Sequence, residues 1–173
     1  MINVVETKIE GLKIIQPSTF NDNRGYFMES FNQTNFENHF GIINFMQDNE
    51  SYSTKGVLRG MHYQEKPYEQ TKLVRAVKGE IQDVVIDLRK NSKTHLKYES
   101  YILNEDNKKQ LFIPKGFAHG FLVLSDYAIV NYKVDSIYKP SHEKHIMHND
   151  SNIGIKWMLD TSMIKLSNKD KNS

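Results

Sequence analysis

The sequence contains no cysteine, which excludes thiol chemistry. It also lacks an apolar signal segment at its N-terminus, and no run approaches the roughly 18 apolar residues of a membrane span. We therefore expect a cytoplasmic protein with no membrane partner. The seven histidines are compatible with acid–base catalysis and with metal binding, and their number does not choose between the two.

The sequence has little excess charge of either sign. Its 23 basic and 21 acidic residues give a formal net charge of +2, so nothing in the overall charge favours nucleic acid or a membrane as partner. Any anion binding must therefore be local. With 173 residues and 38% hydrophobic content, the chain fits one domain, residues 1–173, with a sizeable core.

Short segments rich in β-branched and aromatic residues alternate with turn signals, without internal repeats. Phe36 and Phe40 indicate one short helix within residues 32–40, and residues 140–152 are polar and predict a loop. The pattern is typical of an all-β sandwich or jelly roll with little helix. The predicted strands, the first two forming a hairpin, are Leu12–Phe20, Tyr26–Phe31, Ile42–Ser51, Gly56–Gln64, Thr71–Val77, Glu80–Leu88, Tyr98–Leu103, Lys109–Ile113, Phe117–Leu124, Tyr127–Val134 and Ile153–Trp157.

Residues 56–72 concentrate reactive side chains in one short segment, with Arg59 and His62 before a turn at Pro67 and Lys72 after it. If the segment folds back at this turn, an imidazole and two cations converge on one pocket. Such a pocket suits proton abstraction from an anionic substrate. The alternative is a strand with surface charges and one hydrogen-bonded core histidine.

A second pair of candidate residues comes from the predicted hairpin around Ser125 and Asp126. With a two-residue loop, His119 lies directly opposite Tyr132, and directly opposed residues share a face of the sheet. We therefore expect the imidazole and the phenol to reach one ligand. A shift of one residue in the loop would instead place them on opposite faces.

Two other predicted strands also carry polar residues. Gln47, Asp48 and Asn49 lie in the middle of a predicted strand, which indicates either an exposed sheet edge or the polar lining of a cavity. The acids of the strand Glu80–Leu88 are expected to be structural.

Several sequence blocks extend over nearly the whole chain. They are Asp22–Glu29, Gln47–Asn49, Gly56–Gln64, Lys72–Val74, Ile113–Phe121, Tyr132–Lys133 and Leu166–Asp170. In this order they resemble the dTDP-4-dehydrorhamnose 3,5-epimerase family, and together they are far more specific than any single motif.

The resemblance implies a cupin-type jelly roll with a few short helices, and a homodimer in which N-terminal strands cross to the partner. It also implies epimerisation of a nucleotide-linked 4-keto-6-deoxy sugar at C3, C5 or both, most simply dTDP-4-dehydro-6-deoxyglucose to dTDP-4-dehydrorhamnose, without metal or organic cofactor. His62 matches the base, Tyr132 the acid, Lys72 the cation at the C4 oxygen, and Asp170 the carboxylate paired with the base. The matching substrate-binding positions are Arg24, Glu29, Gln47, Asn49, Arg59, His119, Glu143 and Lys169.

The chain departs from the family pattern at His148, where a tryptophan is common, and at His145, where a glycine is common. Another nucleotide-linked 4-keto sugar, such as a GDP-4-keto heptose, and epimerisation at only C3 or only C5 therefore stay open, as does a ketoisomerase on the same scaffold. Tyr132 beside His62 favours epimerisation.

An alternative of another class is a metal-binding cupin or a non-catalytic sugar-binding module. Residues 114–119 resemble half of the cupin metal motif, but Tyr63 and Gln64 follow His62, so the His-x-His half is missing. His142, His145 and His148 are spaced for one helical face, yet Pro140 predicts a loop. We therefore expect surface histidines there, and no metal site.

Overall fold

The computed structural model describes residues 2–171. Within that range neither of the two α-helices is long and apolar enough to cross a membrane. Two 3₁₀ turns, Pro140–His142 and Thr161–Met163, complete the helical structure. The strands and helices are β1 (Ile2–Glu6), β2 (Lys13–Pro17), β3 (Thr19–Asp22), β4 (Gly25–Met28), α1 (Gln33–Phe40), β5 (Gln47–Thr54), β6 (Leu58–Gln64), β7 (Lys72–Lys78), β8 (Glu80–Asp87), β9 (Tyr98–Asn104), β10 (Gln110–Ile113), β11 (Phe117–Val123), β12 (Tyr127–Val134), β13 (Glu143–His145) and α2 (Asn168–Lys171).

The strands form two antiparallel sheets that pack face to face, together with the separate hairpin β3–β4. One sheet has the order β1-β2-β10-β7-β12-β5 and the other the order β13-β6-β11-β8-β9. Burial of apolar side chains between the sheets provides the main stabilisation, and this arrangement confirms the predicted jelly roll. The core includes Val74, Leu111 and Val130 from the first sheet and Ile81, Val85 and Phe121 from the second.

The predicted first hairpin forms only as the short pair β3–β4, because β2 pairs with β1 and β10 instead, and the predicted short helix is confirmed. Helix α1 begins after Asn32, whose side-chain oxygen accepts a hydrogen bond from Asn35 N at 3.0 Å. It ends before Gly41, which has a positive φ of 74°. Phe36 is buried and packs edge-on against Phe112 of β10, so the helix covers the outer face of the six-stranded sheet.

The strands on either side of Pro67 form as predicted, but they lie in different sheets. β6 belongs to the five-stranded sheet and β7 to the six-stranded sheet, so the turn at Pro67 takes the chain from one sheet to the other. His62 and Lys72 therefore face a common space from opposite walls instead of sharing one hairpin.

The predicted hairpin between β11 and β12 is wrong. Both edges of β11 pair with β6 and β8, and both edges of β12 pair with β5 and β7, so neither strand has free backbone groups for the other. The turn crosses between the sheets. Ser125 Oγ accepts a hydrogen bond from Glu80 N at 2.8 Å and donates one to Tyr127 O at 2.6 Å, which ties the turn to β8.

Two predictions for the C-terminal third also differ from the structure. Part of the predicted loop 140–152 forms the short strand β13, because the edge of β6 is open for pairing. Conversely, residues 153–157 form no strand. The apolar side chains of this irregular segment, Ile153, Ile155 and Trp157, pack on the outer face of the five-stranded sheet, which accounts for their strand-like composition.

Candidate active site

A cavity of about 500 Å³ lies between the two sheets and contains the reactive side chains of residues 56–72. Its walls come from β5, β6, β7, β11 and β12 and from the C-terminal segment 165–170. This volume is within the range of small-molecule sites. The side chains that supply chemistry are Arg59, His62, Lys72, His119, Tyr132, Lys169 and Asp170.

A close approach of β6 and β11 places two histidines side by side in this cavity. A Cβ atom on Gly60, which has a φ of +136°, would lie 2.5 Å from Gly120 Cα, so only glycine fits there. His62 pairs with His119 in the register of the two strands, and the register shifts immediately beyond His119.

His62 and Asp170 form a partly buried hydrogen-bonded pair. His62 Nε2 lies 2.6 Å from Asp170 Oδ1, and Asp170 is only 6% exposed. Ser167 Oγ donates to Asp170 Oδ2 at 2.7 Å and fixes the carboxylate. When Nε2 donates its hydrogen to the carboxylate, Nδ1 retains a lone pair that can accept a proton. Burial lowers the pKa of His62, while Asp170 and Glu143 act in the opposite direction. The imidazole is therefore neutral near pH 7 and can accept a proton.

The chain brings Asp170 to His62 through a short contact between the C-terminal segment and the start of β6. Leu58 N donates to Lys165 O at 3.0 Å, and Lys165 N donates to Gly56 O at 2.8 Å. Helix α2 follows directly and presents Asp170 inward. The C-terminal segment is thus part of the cavity wall.

Lys72 presents a buried cation from the opposite wall. It is 8% exposed, and its ammonium group forms no ion pair within 4 Å in the part of the chain that the structure describes. Burial lowers the pKa of Lys72 to about 8, and the negative charges of Asp83 and Glu143 partly offset this effect. The group is thus mostly protonated at neutral pH and available to an anionic ligand.

His119 is fixed by Asp83, an acid on β8. His119 Nε2 lies 2.9 Å from Asp83 Oδ2 and 3.0 Å from Oδ1, and the carboxylate is fully buried. No sequence pattern indicated this contact with His119, because the acids of this strand were expected to be structural. Asp87 on the same strand fits that expectation, because Arg89, Ser92 and Thr94 all bind its carboxylate.

Tyr132 lies on the wall formed by the six-stranded sheet. Burial raises the pKa of its phenol, and the positive charge of Arg59 only partly opposes this, so the group keeps its proton at neutral pH. His119 and Tyr132 line the same cavity, as the sequence predicted. The reason differs from the predicted one: the residues come from opposing sheets, not from one hairpin.

A hydrogen-bonded network around Tyr138, a residue that sequence reasoning missed, meets the cavity at Lys169, on the side here called the cavity mouth. Tyr138 N donates to Gln47 Oε1 at 3.2 Å, and its hydroxyl donates to Glu143 Oε2 at 2.7 Å. Gln47 Nε2 in turn donates to Asn49 Oδ1 at 2.7 Å, and Lys169 pairs with Glu143. The network joins four of the predicted substrate-binding residues.

The polar trio of β5 fits both of its interpretations. β5 is an edge strand of the six-stranded sheet, and its side chains alternate between the two faces. Asn49 is paired with Tyr132 on the cavity side, whereas Asp48 points outward and binds Lys133 at 2.5 Å. The strand is therefore a sheet edge with one polar face towards the cavity.

Five of the eight predicted substrate-binding residues do not line this cavity. Gln47, Asn49 and Glu143 belong to the network around Tyr138, and the other two lie at the β3–β4 hairpin. Arg24 lies in the turn of the β3–β4 hairpin, is exposed, and binds Asp22 at 2.6 Å. Glu29 follows the same hairpin and accepts a hydrogen bond from Asn35 Nδ2 at 3.1 Å. Arg59 does line the cavity, where Ser53 Oγ accepts a hydrogen bond from its Nε at 2.9 Å.

The histidines of the segment 142–148 do not converge on one point. His142 packs its ring on Tyr68, His145 is edge-on to His62 at 6.4 Å between ring centroids, and the His148 carbonyl accepts a hydrogen bond from Trp157. Among residues 2–171 no group of three or more His, Asp or Glu side chains is arranged to hold a metal ion.

A reaction that needs a neutral His62 and a protonated Lys72 should show a bell-shaped dependence of kcat/KM on pH. The acid limb should lie below the ordinary imidazole pKa of about 6.5, because burial lowers the pKa of His62 and only its neutral form accepts a proton. The alkaline limb should lie at about 8, where Lys72 loses its proton. Initial rates measured in constant ionic strength test both limbs. A value of kcat/KM that keeps rising at pH values well above 8 would contradict a role for the charged form of Lys72.

The jelly-roll cavity brings together a neutral imidazole, a protonated phenol and an ammonium group. These groups can move protons on carbon next to a carbonyl, which indicates an isomerase that acts by proton transfer. Comparison with known proteins specifies the family. The family model for dTDP-4-dehydrorhamnose 3,5-epimerase matches residues 6–173. The chain belongs to the dTDP-4-dehydrorhamnose 3,5-epimerase family.

Individual relatives are similar to this chain over nearly its whole length. It is 50% identical to the dTDP-4-dehydrorhamnose 3,5-epimerase of Shigella flexneri, over 99% of this chain and 94% of the relative. The Bacillus anthracis enzyme with TDP and PPi bound has a TM-score of 0.96 and 42% identity, covering 99% of this chain and 98% of that one. The dTDP-6-deoxy-D-glucose-3,5-epimerase of Legionella pneumophila, in complex with dTDP-4-keto-L-rhamnose, has a TM-score of 0.95 and 45% identity, covering 99% and 90%.

Proposed function

We propose that this protein converts dTDP-4-dehydro-6-deoxyglucose to dTDP-4-dehydrorhamnose by inverting C3 and C5. The names of its relatives support this substrate. The observation that carries the proposal is that His62, Lys72 and Tyr132 line one cavity from different walls. A sugar ring in that cavity would have a base, a cation and an acid around it.

The proposed reaction begins when His62 removes the proton on the carbon next to the C4 ketone. The electron pair of the broken C–H bond forms the enolate, whose negative charge lies on the C4 oxygen. Lys72 holds that oxygen, and a preorganised cation at a developing charge lowers the barrier. Tyr132 then donates its phenolic proton to the opposite face of the carbon, which inverts it. The imidazolium and the phenolate return to their starting states by proton exchange with solvent.

The nucleoside diphosphate is proposed to lie along the cavity mouth. Arg59 and Lys169 supply cations for the diphosphate, and guanidinium suits phosphate oxygens because its N–H groups form a fixed fork. The Tyr138 ring, 46% exposed and next to Lys169, offers a flat surface on which a nucleobase can stack. Gln47 and Asn49 would bind the nucleoside beside it.

We also propose a homodimer in which the β3–β4 hairpin contributes to the cavity of the partner. Phe20, Tyr26 and Phe27 of this hairpin are 63%, 53% and 69% exposed, a cluster of aromatic rings that a partner would cover. This arrangement would also bring Arg24 and Glu29 to a substrate. Light scattering should therefore give twice the chain mass of 20.2 kDa.

The proposed reaction is tested by NMR of dTDP-4-dehydro-6-deoxyglucose with the enzyme in D₂O. We expect deuterium at both C3 and C5 and a product with both centres inverted. Deuterium uptake at only one carbon would show that the enzyme is a mono-epimerase. Uptake only with a different nucleotide sugar would show that this sugar, and not the proposed one, is the substrate. Absence of uptake with every 4-keto sugar offered would contradict an epimerase function.

The Tyr132→Phe variant should separate proton removal from inversion. Since His62 is intact, the variant should still exchange the α-proton for deuterium, while formation of inverted product falls by roughly 10²- to 10⁴-fold, the contribution of a positioned acid. Product configuration and deuterium content measured in one NMR series give both rates. Tyr127→Phe, on the exposed end of the same strand, is the matched control. Inversion by Tyr132→Phe at the wild-type rate would remove Tyr132 from the role of acid.

A further inference from the structure

The cavity face of β5 carries a row of four polar side chains, of which three have hydrogen-bond partners. Gln47 and Asn49 bind each other, with Gln47 Nε2 donating to Asn49 Oδ1 at 2.7 Å. Ser53 Oγ accepts a hydrogen bond from Arg59 Nε at 2.9 Å. Ser51, which also lines the cavity, is the fourth member of the row.

The Ser51 hydroxyl is buried and has no hydrogen-bond partner in the described part of the chain. A buried hydroxyl without a partner loses its hydrogen bonds to water and gains none, so its presence reduces the stability of the free protein. Serine has three staggered χ1 rotamers, and rotation about this one bond can turn the hydroxyl towards the cavity. An acceptor atom of a bound ligand would then supply the missing hydrogen bond.

The position of Ser51 along β5 indicates which part of a ligand it would contact. Residues two apart on a strand share a face and are separated by roughly 7 Å. Ser51 lies one such step from Asn49, which is paired with Tyr132, and one step from Ser53, which holds Arg59. It therefore lies between the proposed acid for the sugar ring and the proposed cation for the diphosphate.

We propose that Ser51 is a substrate-binding residue whose hydroxyl donates a hydrogen bond to an acceptor oxygen at the junction of sugar and diphosphate. This inference rests on the proposed function, since that function places a nucleotide sugar in the cavity. The acceptor belongs either to the sugar or to the phosphate next to it, and both present oxygen atoms to the same point of the wall.

The test compares Ser51→Ala with the wild-type protein in activity and in thermal unfolding. We expect KM for the nucleotide sugar to rise about tenfold or more, the effect of losing one hydrogen bond to a polar or charged group. The value of kcat should change little, because the contact is made in the ground state and in the transition state alike. The unfolding temperature of the free variant should be equal to or above that of the wild type.

Thr54→Ala is the matched control, because it removes an exposed hydroxyl from the same strand, and its KM should equal that of the wild type. Titration with dTDP identifies the acceptor: weaker dTDP binding by Ser51→Ala assigns it to the phosphate, and unchanged dTDP binding with a raised KM assigns it to the sugar.

An unchanged KM in Ser51→Ala would overturn the proposal, and so would a raised KM accompanied by a lower unfolding temperature, which indicates a structural hydroxyl. Neither result would affect the proposed function, provided that the wild-type protein epimerises the substrate. An inactive wild type would instead contradict the proposed function itself.

Discussion

The His62→Ala variant should take up no measurable deuterium at C3 or C5 of the nucleotide sugar. The expected loss is roughly 10⁴-fold, the upper end of what a positioned base contributes. The reason is that neither neighbouring group can replace His62 as the base. The Nε2 atom of His119 is bound to both oxygens of Asp83, and burial keeps Tyr132 in its protonated form. Integration of the C3 and C5 proton signals over time gives the rate.

The control for this variant is His39→Ala, which removes an exposed histidine of helix α1 that lies outside the cavity. It should exchange both protons at the wild-type rate. Binding of dTDP to His62→Ala should also persist, since the proposed nucleotide contacts lie at the mouth. Full exchange by a folded His62→Ala variant would remove His62 from the role of base.

The Lys72→Met variant should lose roughly 10²- to 10³-fold in kcat, the typical effect of removing one donor that stabilises a developing oxyanion. Methionine is close to lysine in length but carries no charge, so the enolate oxygen would face an apolar group. The variant should fold at least as well as the wild type, because a buried cation without an ion pair within 4 Å in the described residues is replaced by a hydrophobic side chain. Steady-state kinetics and thermal unfolding measure the two effects.

Lys78→Met is the matched control, since Lys78 ends the same strand, is exposed and pairs with Glu105 outside the cavity. It should keep the wild-type kcat. The alkaline limb of the pH profile provides a second criterion: it should disappear in the residual activity of Lys72→Met. If the limb stayed in place, its cause would be a group other than Lys72.

Most of the strands could be predicted from the sequence because their signal is local, whereas β1 and β13 were missed. β8 and β12 are rich in β-branched residues. Turn residues precede both strands: Gly79 comes before β8, and Ser125 and Asp126 come before β12. The partners of each strand are not local information. The interval between β11 and β12 is short enough for a hairpin, yet each strand pairs on both edges within its own sheet. Residues 153–157 show the converse, since apolar side chains can cover a sheet without forming a strand.

The residues of the candidate site also divide into those with a local sequence signal and those without one. His62 and Lys72 stand out within one short segment, but His62 and Asp170 are 108 residues apart, and only the family resemblance linked them. Asp83, Tyr138 and Ser51 were missed because their roles depend on contacts in the folded protein. Asp83 binds a buried histidine, Tyr138 belongs to the network at the cavity mouth, and the Ser51 hydroxyl is buried without a partner in the described residues. Such features depend on the packed structure and leave no pattern in the sequence.

A crystal structure of the protein with a dTDP-linked sugar bound would test the proposed roles of His62, Lys72 and Tyr132 most directly. We expect the sugar ring to lie between the His62 imidazole and the Tyr132 phenol, with its C4 oxygen within hydrogen-bond distance, about 3 Å, of Lys72 Nζ. A sugar ring bound outside the cavity, or with His62 and Tyr132 on the same side of it, would contradict these roles.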